Sequence, residues 1–489
     1  MAKTVRTRFA PSPTGYMHIG NLRTALYEYL IARSQGGTFI LRIEDTDQER
    51  YVEGATDIIF QTLQQTGITY DEGPGVGGDY GPYIQSERQG MYKQYAEELV
   101  AKGKAYYCFC SKERLESIKG DVQQQGDALA YDRHCRNLSQ EEVRANLDAG
   151  LPYVIRQKMP LDGTTTFHDA VYGDITVENK TLEDQILLKA DGMPTYNFAN
   201  VIDDHLMAIT HVVRGNEYLS STPKYNLLYE AFGWEIPTYI HCAPVMKDAH
   251  NKLSKRNGDA SFGDLLAKGY LPEAVVNYIT LLGWSPGGTQ EIFSLKELEE
   301  NFTIEGLSKS PAIFDPEKLR WMNGEYIRKL SPEKFQELAT PWIQQALGED
   351  ISQELMSKLC PLIQGRTEVL SDIPEKIAFF KELADYDPEI YRHKKMKTDP
   401  ENAVGFLQVT KDFLQSYTGD WTSSALYESL CGLAAEKGLK NSQILWPLRT
   451  ALSGLPASPG GATELAEILG KEETLKRIEK GLEILGGAI

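Results

Sequence analysis

Residues 5–43 alternate a strand, a breaker, a helix and a second strand, and this restricts the possible folds more than any other feature of the chain. Residues 5–10 read as a strand that Pro11-Ser12-Pro13-Thr14-Gly15 ends, because proline removes a ladder donor and fixes φ. A helix is predicted from about Asn21, with Leu22, Ala25, Leu26, Tyr29 and Leu30 at helical spacing. Gly36-Gly37 supplies the stop that helix C-termini favour. Residues 38–43 are apolar enough for a strand buried on both faces. Strand, helix and strand this close together form a βαβ unit, hence a parallel sheet with a right-handed crossover. The expected class is α/β with a Rossmann-type core.

Residues 86–190 carry a cysteine cluster and read as an insertion splitting that core. Strand and helix signals return with Thr195-Tyr196-Asn197-Phe198-Ala199-Asn200-Val201 and His211-Val212-Val213-Arg214. Ser331-Pro332-Glu333 is an N-cap followed by proline at the first helical position. Residues 424–437 and 463–485 read as amphipathic helices, so the chain beyond 331 should be all-helical. The expected division is core (1–85), insertion (86–190), core (191–225), a third module (226–330) and two helical subdomains (331–385 and 386–489).

The chain carries 51 basic and 69 acidic residues, a net charge of −18. That argues against non-specific coating of polyanions, although phosphates respond to local basic patches and not to the total. No apolar run approaches the ~18 residues of a membrane helix. Six cysteines are too few for a disulfide scaffold in 489 residues. A cytoplasmic protein without membrane attachment is expected.

Three segments could carry chemistry. Gly73-Pro74-Gly75-Val76-Gly77-Gly78 has no following Lys-Ser/Thr and reads as a surface turn, not a phosphate loop. His18-Ile19-Gly20-Asn21 opens a helix directly after a buried strand, where α/β sheets bind ligands and helix N–H groups meet phosphates. By itself His18 is more often a helix-terminus residue than a ligand contact. Lys252-Leu253-Ser254-Lys255-Arg256-Asn257-Gly258 is a cationic loop, either a solvated turn or a clamp on a polyphosphate.

The order of these last two motifs, with an insertion between them, resembles the HIGH and KMSKS signatures of class I aminoacyl-tRNA synthetases. The finer similarity is to bacterial glutamyl-tRNA synthetases. It is carried by Arg8-Phe9-Ala10-Pro11-Ser12-Pro13-Thr14-Gly15, Arg42-Ile43-Glu44-Asp45-Thr46-Asp47, Thr195-Tyr196 through Asn200, Ser308-Lys309-Ser310-Pro311 and Arg320-Trp321-Met322-Asn323-Gly324. The resemblance implies that Arg8, Ala10, Ser12, Glu44, Tyr196, Asn200 and Arg214 bind L-glutamate. Two carboxylates and one ammonium call for guanidinium forks and an acid, although Glu44-Asp45-Thr46-Asp47 alone could equally be a solvated acidic turn. It further implies that His18, Gly20, Lys252, Ser254, Lys255 and Arg256 bind ATP, with His18 and Lys255 catalytic and Mg²⁺ required. By the same resemblance the insertion binds the tRNA acceptor end, module 226–330 the stem, and the helical region the anticodon of tRNA(Glu). A monomer is expected.

Cys108, Cys110 and Cys135 resemble the zinc module that some members carry. The position two residues after the last cysteine holds Asn137, a poor zinc ligand, so Tyr131 or His134 would be the fourth ligand. Three partly buried free cysteines without Zn²⁺ are the alternative. Arg366 resembles the arginine with which discriminating members read the third anticodon base, the competing role being a helix arginine paired with Glu368. Rival functions are a form that also charges tRNA(Gln), a glutaminyl enzyme (excluded by the helical C-terminus), a shortened glutamyl-queuosine enzyme (excluded by length) and a non-catalytic tRNA-binding relative.

Overall fold

Two strands, β1 (Arg6–Phe9) and β2 (Thr38–Leu41), pair in parallel with Arg6 opposite Thr38 and Phe9 opposite Leu41. Between them runs α1 (Ile19–Ser34). In this computed structural model the described residues are 4–15, 17–46, 52–125, 131–251, 253 and 261–488, with backbone only for 119–125, 487 and 488. Helix α1 begins two residues before the predicted Asn21, because His18 is its N-cap and accepts the Gly20 and Asn21 N–H groups. Its burial is not a single stripe, for every residue from Ala25 to Ala32 is buried, as in a helix packed on several sides. The helix ends at Ser34, just before the predicted stop, where Gly36 has φ +60° and a Cβ on Gly37 would stand 2.3 Å from the Val5 carbonyl oxygen.

The chain continues through α2 (Ala55–Thr66), α3 (Gln89–Ala101), β3 (Ala105–Cys108), α4 (Lys112–Gln125), α5 (Gln140–Asp148), β4 (Val154–Gln157), β5 (Thr164–Asp169), β6 (Gly173–Glu178) and β7 (Ile186–Leu188). It then forms α6 (Tyr196–Leu206), β8 (His211–Gly215), α7 (Thr222–Phe232) and β9 (Thr238–Cys242). One sheet has the order β6-β5-β9-β8 and another β3-β4-β7. Strands β8 and β9 are parallel, and the Thr210 N–H beside β8 donates to the Arg6 carbonyl at 2.9 Å, joining β8 to β1. The segment read as an insertion is therefore of two kinds. Strands β3, β4 and β7 make their own sheet, whereas the β5–β6 hairpin extends the core sheet through Asp169 opposite Tyr239. Gly73 and Gly77 exchange backbone hydrogen bonds of 3.0 and 2.8 Å, the tight turn that the sequence implies.

Two compact units are formed: Met1–Leu265 with Val275–Pro316, and Leu266–Ala274 with Glu317–Ile489. Beyond Ser331 the second unit contains helices and no strand among the described residues. Ser331 caps the helix Pro332–Leu347 through its side chain, with proline at the first turn. The helix predicted over 463–485 needs correction. Gly470, at φ 76° and ψ 169°, breaks Ala462–Ala488 into two helices. Leu407, Leu430, Leu448 and Leu465 meet in one core of this unit, and Phe335, Leu359 and Ile373 in another.

Candidate active site and thiol cluster

Pro11 and Pro13 turn the chain away from the sheet after β1, and the carbonyl of Pro11 accepts the Glu44 N–H at 3.0 Å. The chain thereby opens a cavity of about 450 Å³ at the carboxyl ends of β1, β8 and β9, where open α/β sheets bind ligands. Arg8 lines it from β1, Ala10, Ser12 and Glu44 from the segments that follow β1 and β2, Tyr196 and Arg214 from α6 and β8, and His18 and Gly20 from the start of α1. Asn200 stands behind, its side-chain oxygen accepting Arg214 Nη2 at 2.8 Å. Lys252, Ser254, Lys255 and Arg256 lie outside the described residues, as does Asp47. Leu253, from the same loop, lines the cavity.

Residues that periodicity could not single out organise the charge here. Asp204 of α6 binds Arg8 Nε and Nη2 at 2.9 and 3.2 Å and Arg42 Nη2 at 2.8 Å, and lies 3.9 Å from Arg214 Nη2. Burial alone would raise its carboxyl, but Arg8, Arg42 and Arg214 outweigh burial and hold it down to about 2. Arg8 Nη1 binds Glu28 at 2.9 Å. Glu44, 3% exposed, accepts Arg42 Nε and Nη2 on Oε1. Its Oε2 is buried without a hydrogen-bond partner, and so is Arg214 Nε. Burial pushes the Glu44 carboxyl up, against the pull of Arg42 and Arg8. The Arg214 guanidinium lies over Tyr225 and Tyr218 at 4.8 and 5.4 Å. Asp45 is no solvated turn residue, since it accepts Ser86 N and Oγ at 2.8 and 2.6 Å.

In the insertion, the Cys108, Cys110 and Cys135 sulfurs lie within 4.8 Å of one another. Cys110 and Cys135 are 3.5 Å apart, and the Tyr131 hydroxyl is 3.2 Å from Cys108 and 3.8 Å from Cys110. Ligands about 2.3 Å from a zinc ion stand about 3.8 Å apart in a tetrahedron, so three sulfurs and a phenol oxygen fit one. His134 is exposed and outside the group. Burial raises the Cys108 thiol, but Tyr131 and Arg156 bring it below its usual value, while burial and Cys108 push Cys110 up to about 12.

In the second unit, Arg366 follows the helix Gln353–Gln364 and its Nη1 donates to the Ser458 carbonyl at 2.6 Å. Glu368 is instead 3.4 Å from Arg320. Arg449 Nη1 reaches the Ser458 hydroxyl at 3.0 Å and stacks on Trp446 at 4.3 Å. Burial and then the charge of Arg366 lower Arg449 to about 10.

A profile described as "tRNA synthetases class I (E and Q), catalytic domain" matches residues 4–321, and one for an anticodon binding domain matches 334–482. A glutamate–tRNA ligase of Clostridium novyi is 63% identical over 100% of this chain and 99% of its own length. The chain belongs to the glutamate–tRNA ligase family. Another family member, from Clostridium acetobutylicum, is 58% identical over 99% of both chains. Among solved structures, a glutamate tRNA ligase from Elizabethkingia meningosepticum in complex with its amino acid superimposes with TM-score 0.88 at 38% identity, covering 99% of this chain and 100% of that one. A glutamate-tRNA synthetase from Elizabethkingia anophelis gives 0.89 at 38% identity, over 98% and 100%. The parallel-sheet catalytic part and helical C-terminal part are those of class I family members.

Proposed function

We propose that this chain activates L-glutamate with ATP and transfers it to the 3′ end of tRNA(Glu). The observation that carries this comes from two of the buried, unpartnered atoms of the cavity lining: Glu44 Oε2, which suits an ammonium, and the Arg214 Nε–H, which suits a carboxylate. The substrate carboxylate attacks the α-phosphorus of ATP and expels pyrophosphate. A terminal ribose hydroxyl of tRNA then attacks the adenylate carbonyl and expels AMP. No protein side chain forms a bond to substrate; Arg8, Ala10, Ser12, Tyr196, Asn200 and Arg214 position glutamate. His18, Gly20 and the loop residues Lys252, Ser254, Lys255 and Arg256 hold ATP and offset charge developing on its phosphates. Mg²⁺, when bound, neutralises phosphate charge.

Cys108, Cys110, Cys135 and Tyr131 would hold a zinc ion that cross-links their module. Arg366 would read the last anticodon base, beside Arg449 and Trp446, whose ring offers a stacking face for an unpaired base. The six-part division, a monomeric state and a cytoplasmic location belong to the same reading; no described helix is long and apolar enough to cross a membrane. The test is to offer a total tRNA pool with labelled glutamate and, separately, to measure ATP–pyrophosphate exchange with and without tRNA. Glutamate on tRNA(Glu) is expected, with exchange that needs tRNA. No glutamate-dependent exchange under either condition would leave a non-catalytic tRNA-binding protein.

A further inference from the structure

Glu28 is a third acid in the cavity, and the roles above leave it unused. It sits inside α1, 1% exposed, and lines the same space as Glu44. Its Oε1 accepts from Arg8 Nη1 at 2.9 Å, while Oε2 is buried without a hydrogen-bond partner. Around it stand Arg8 of β1, Asp204 of α6, Arg214 of β8, the Cys242 thiol of β9, and Arg23 of its own helix, which also lines the cavity. With Glu28, Glu44, Asp204 and Glu217 all ionised, the acids cancel Arg8, Arg23, Arg42 and Arg214. Such a site has no net charge to offer an amino acid that carries one net negative charge. A neutral Glu28 leaves one guanidinium charge uncancelled, which matches that ligand. The hydrogen bonds count the same way. The ammonium is served by Glu44 Oε2 and one carboxylate by Arg214; for the second carboxylate, Glu28 Oε2 adds a donor beside Arg23 Nε, Ser12 and Tyr196 only when it is protonated, since an ionised carboxylate only accepts.

Resting on the glutamate reading of this cavity, we propose that Glu28 is a specificity-determining residue acting as a neutral carboxylic acid, its hydroxyl donating to a carboxylate of the bound amino acid. Burial pushes this carboxyl well above its usual range, more than Arg8 draws it down. A buried acid kept neutral in this way is a competent hydrogen-bond donor.

Infrared difference spectra of the glutamate-saturated protein at neutral pH test this, wild type against Glu28→Gln and Glu28→Asp. A carboxylic-acid carbonyl band is expected in the wild type, lost in the glutamine variant and displaced in the aspartate variant. In parallel, Glu28→Ala should lower kcat/KM for glutamate roughly tenfold to hundredfold, as for a lost hydrogen bond to a charged group. Glu28→Gln, which keeps a donor without charge, should recover about tenfold of a hundredfold loss. No acid band in the glutamate-bound wild type, or a glutamine variant as impaired as the alanine variant, overturns the assignment while glutamate remains the substrate. Failure of the wild type to bind glutamate in equilibrium dialysis overturns both. Should the glutamine variant not fold, the displaced band of the aspartate variant carries the test.

Discussion

His18 caps α1 with its own ring, and Gly20 is glycine because a Cβ there would meet that ring at 3.0 Å. A structural role and the proposed catalytic one therefore fall on one side chain, and substitutions can part them. His18→Asn keeps a capping acceptor, so its thermal midpoint should stay near wild type, whereas His18→Ala should lose about 1 kcal/mol. Both should slow adenylate formation; an asparagine variant with wild-type single-turnover rates would remove His18 from the ATP site. Lys255→Ala should slow activation about 10²–10³-fold with little change in tRNA affinity, and an unchanged rate would refute its role. Asp204 answers to pH. Its carboxyl falls from an ordinary 3.8 to about 2 in the folded chain. The stability it contributes is therefore complete above about pH 4 and is lost as pH falls through about 2. Asp204→Asn should cost about 3–5 kcal/mol at neutral pH, and the gap in urea midpoint from wild type should narrow below pH 4. A gap constant with pH would mean that the shared carboxylate is not what holds the arginines.

At the scale of elements, spacing was a good guide wherever periodicity met a breaker. Strands β1 and β2, helix α1 and the capped helix at Pro332 all lie close to where the sequence puts them. It failed at Gly470, since glycine keeps an apolar stripe continuous on paper while its positive φ turns the chain. It was also silent on the β5–β6 hairpin joining the core sheet, a pairing of distant segments with no local signal. The thiol module is where an element's order should depend on a ligand. Protein purified without chelator should contain about one zinc per chain by elemental analysis. Removing it should lower the thermal midpoint, and Tyr131→Phe should weaken retention. Metal-free protein with all three thiols rapidly titrated would leave a packed cysteine cluster and nothing more.

Across the whole molecule, choice of tRNA should depend on the second unit while chemistry resides in the first. On its pairing edge C offers two acceptors and G offers N–H donors, so an arginine facing the last anticodon base should favour the glutamate anticodon by about 1–3 kcal/mol. Arg366 projects beyond its helix and shares Ser458 with Arg449, so two guanidiniums converge there. Arg366→Gln should raise kcat/KM for charging tRNA(Gln) and leave ATP–pyrophosphate exchange with tRNA(Glu) within about threefold of wild type. Efficient charging of tRNA(Gln) by the unmutated chain would show that Arg366 does not discriminate.

The βαβ start and the helical C-terminal third are local in the chain, each written in periodicity, breakers and caps. Those determined the fold class, while Arg8, His18, Glu44 and Arg214 were legible as site residues through the resemblance of their motifs to the family. What only the tertiary structure decided is the charge arrangement around them. Glu28 hides inside an apolar helix and Asp204 at the far end of another, and Arg42 directly follows a strand. Their meaning comes from contacts between residues up to 196 positions apart. Burial then decides which carboxylates stay ionised, because the cost of a charge depends on everything packed around it.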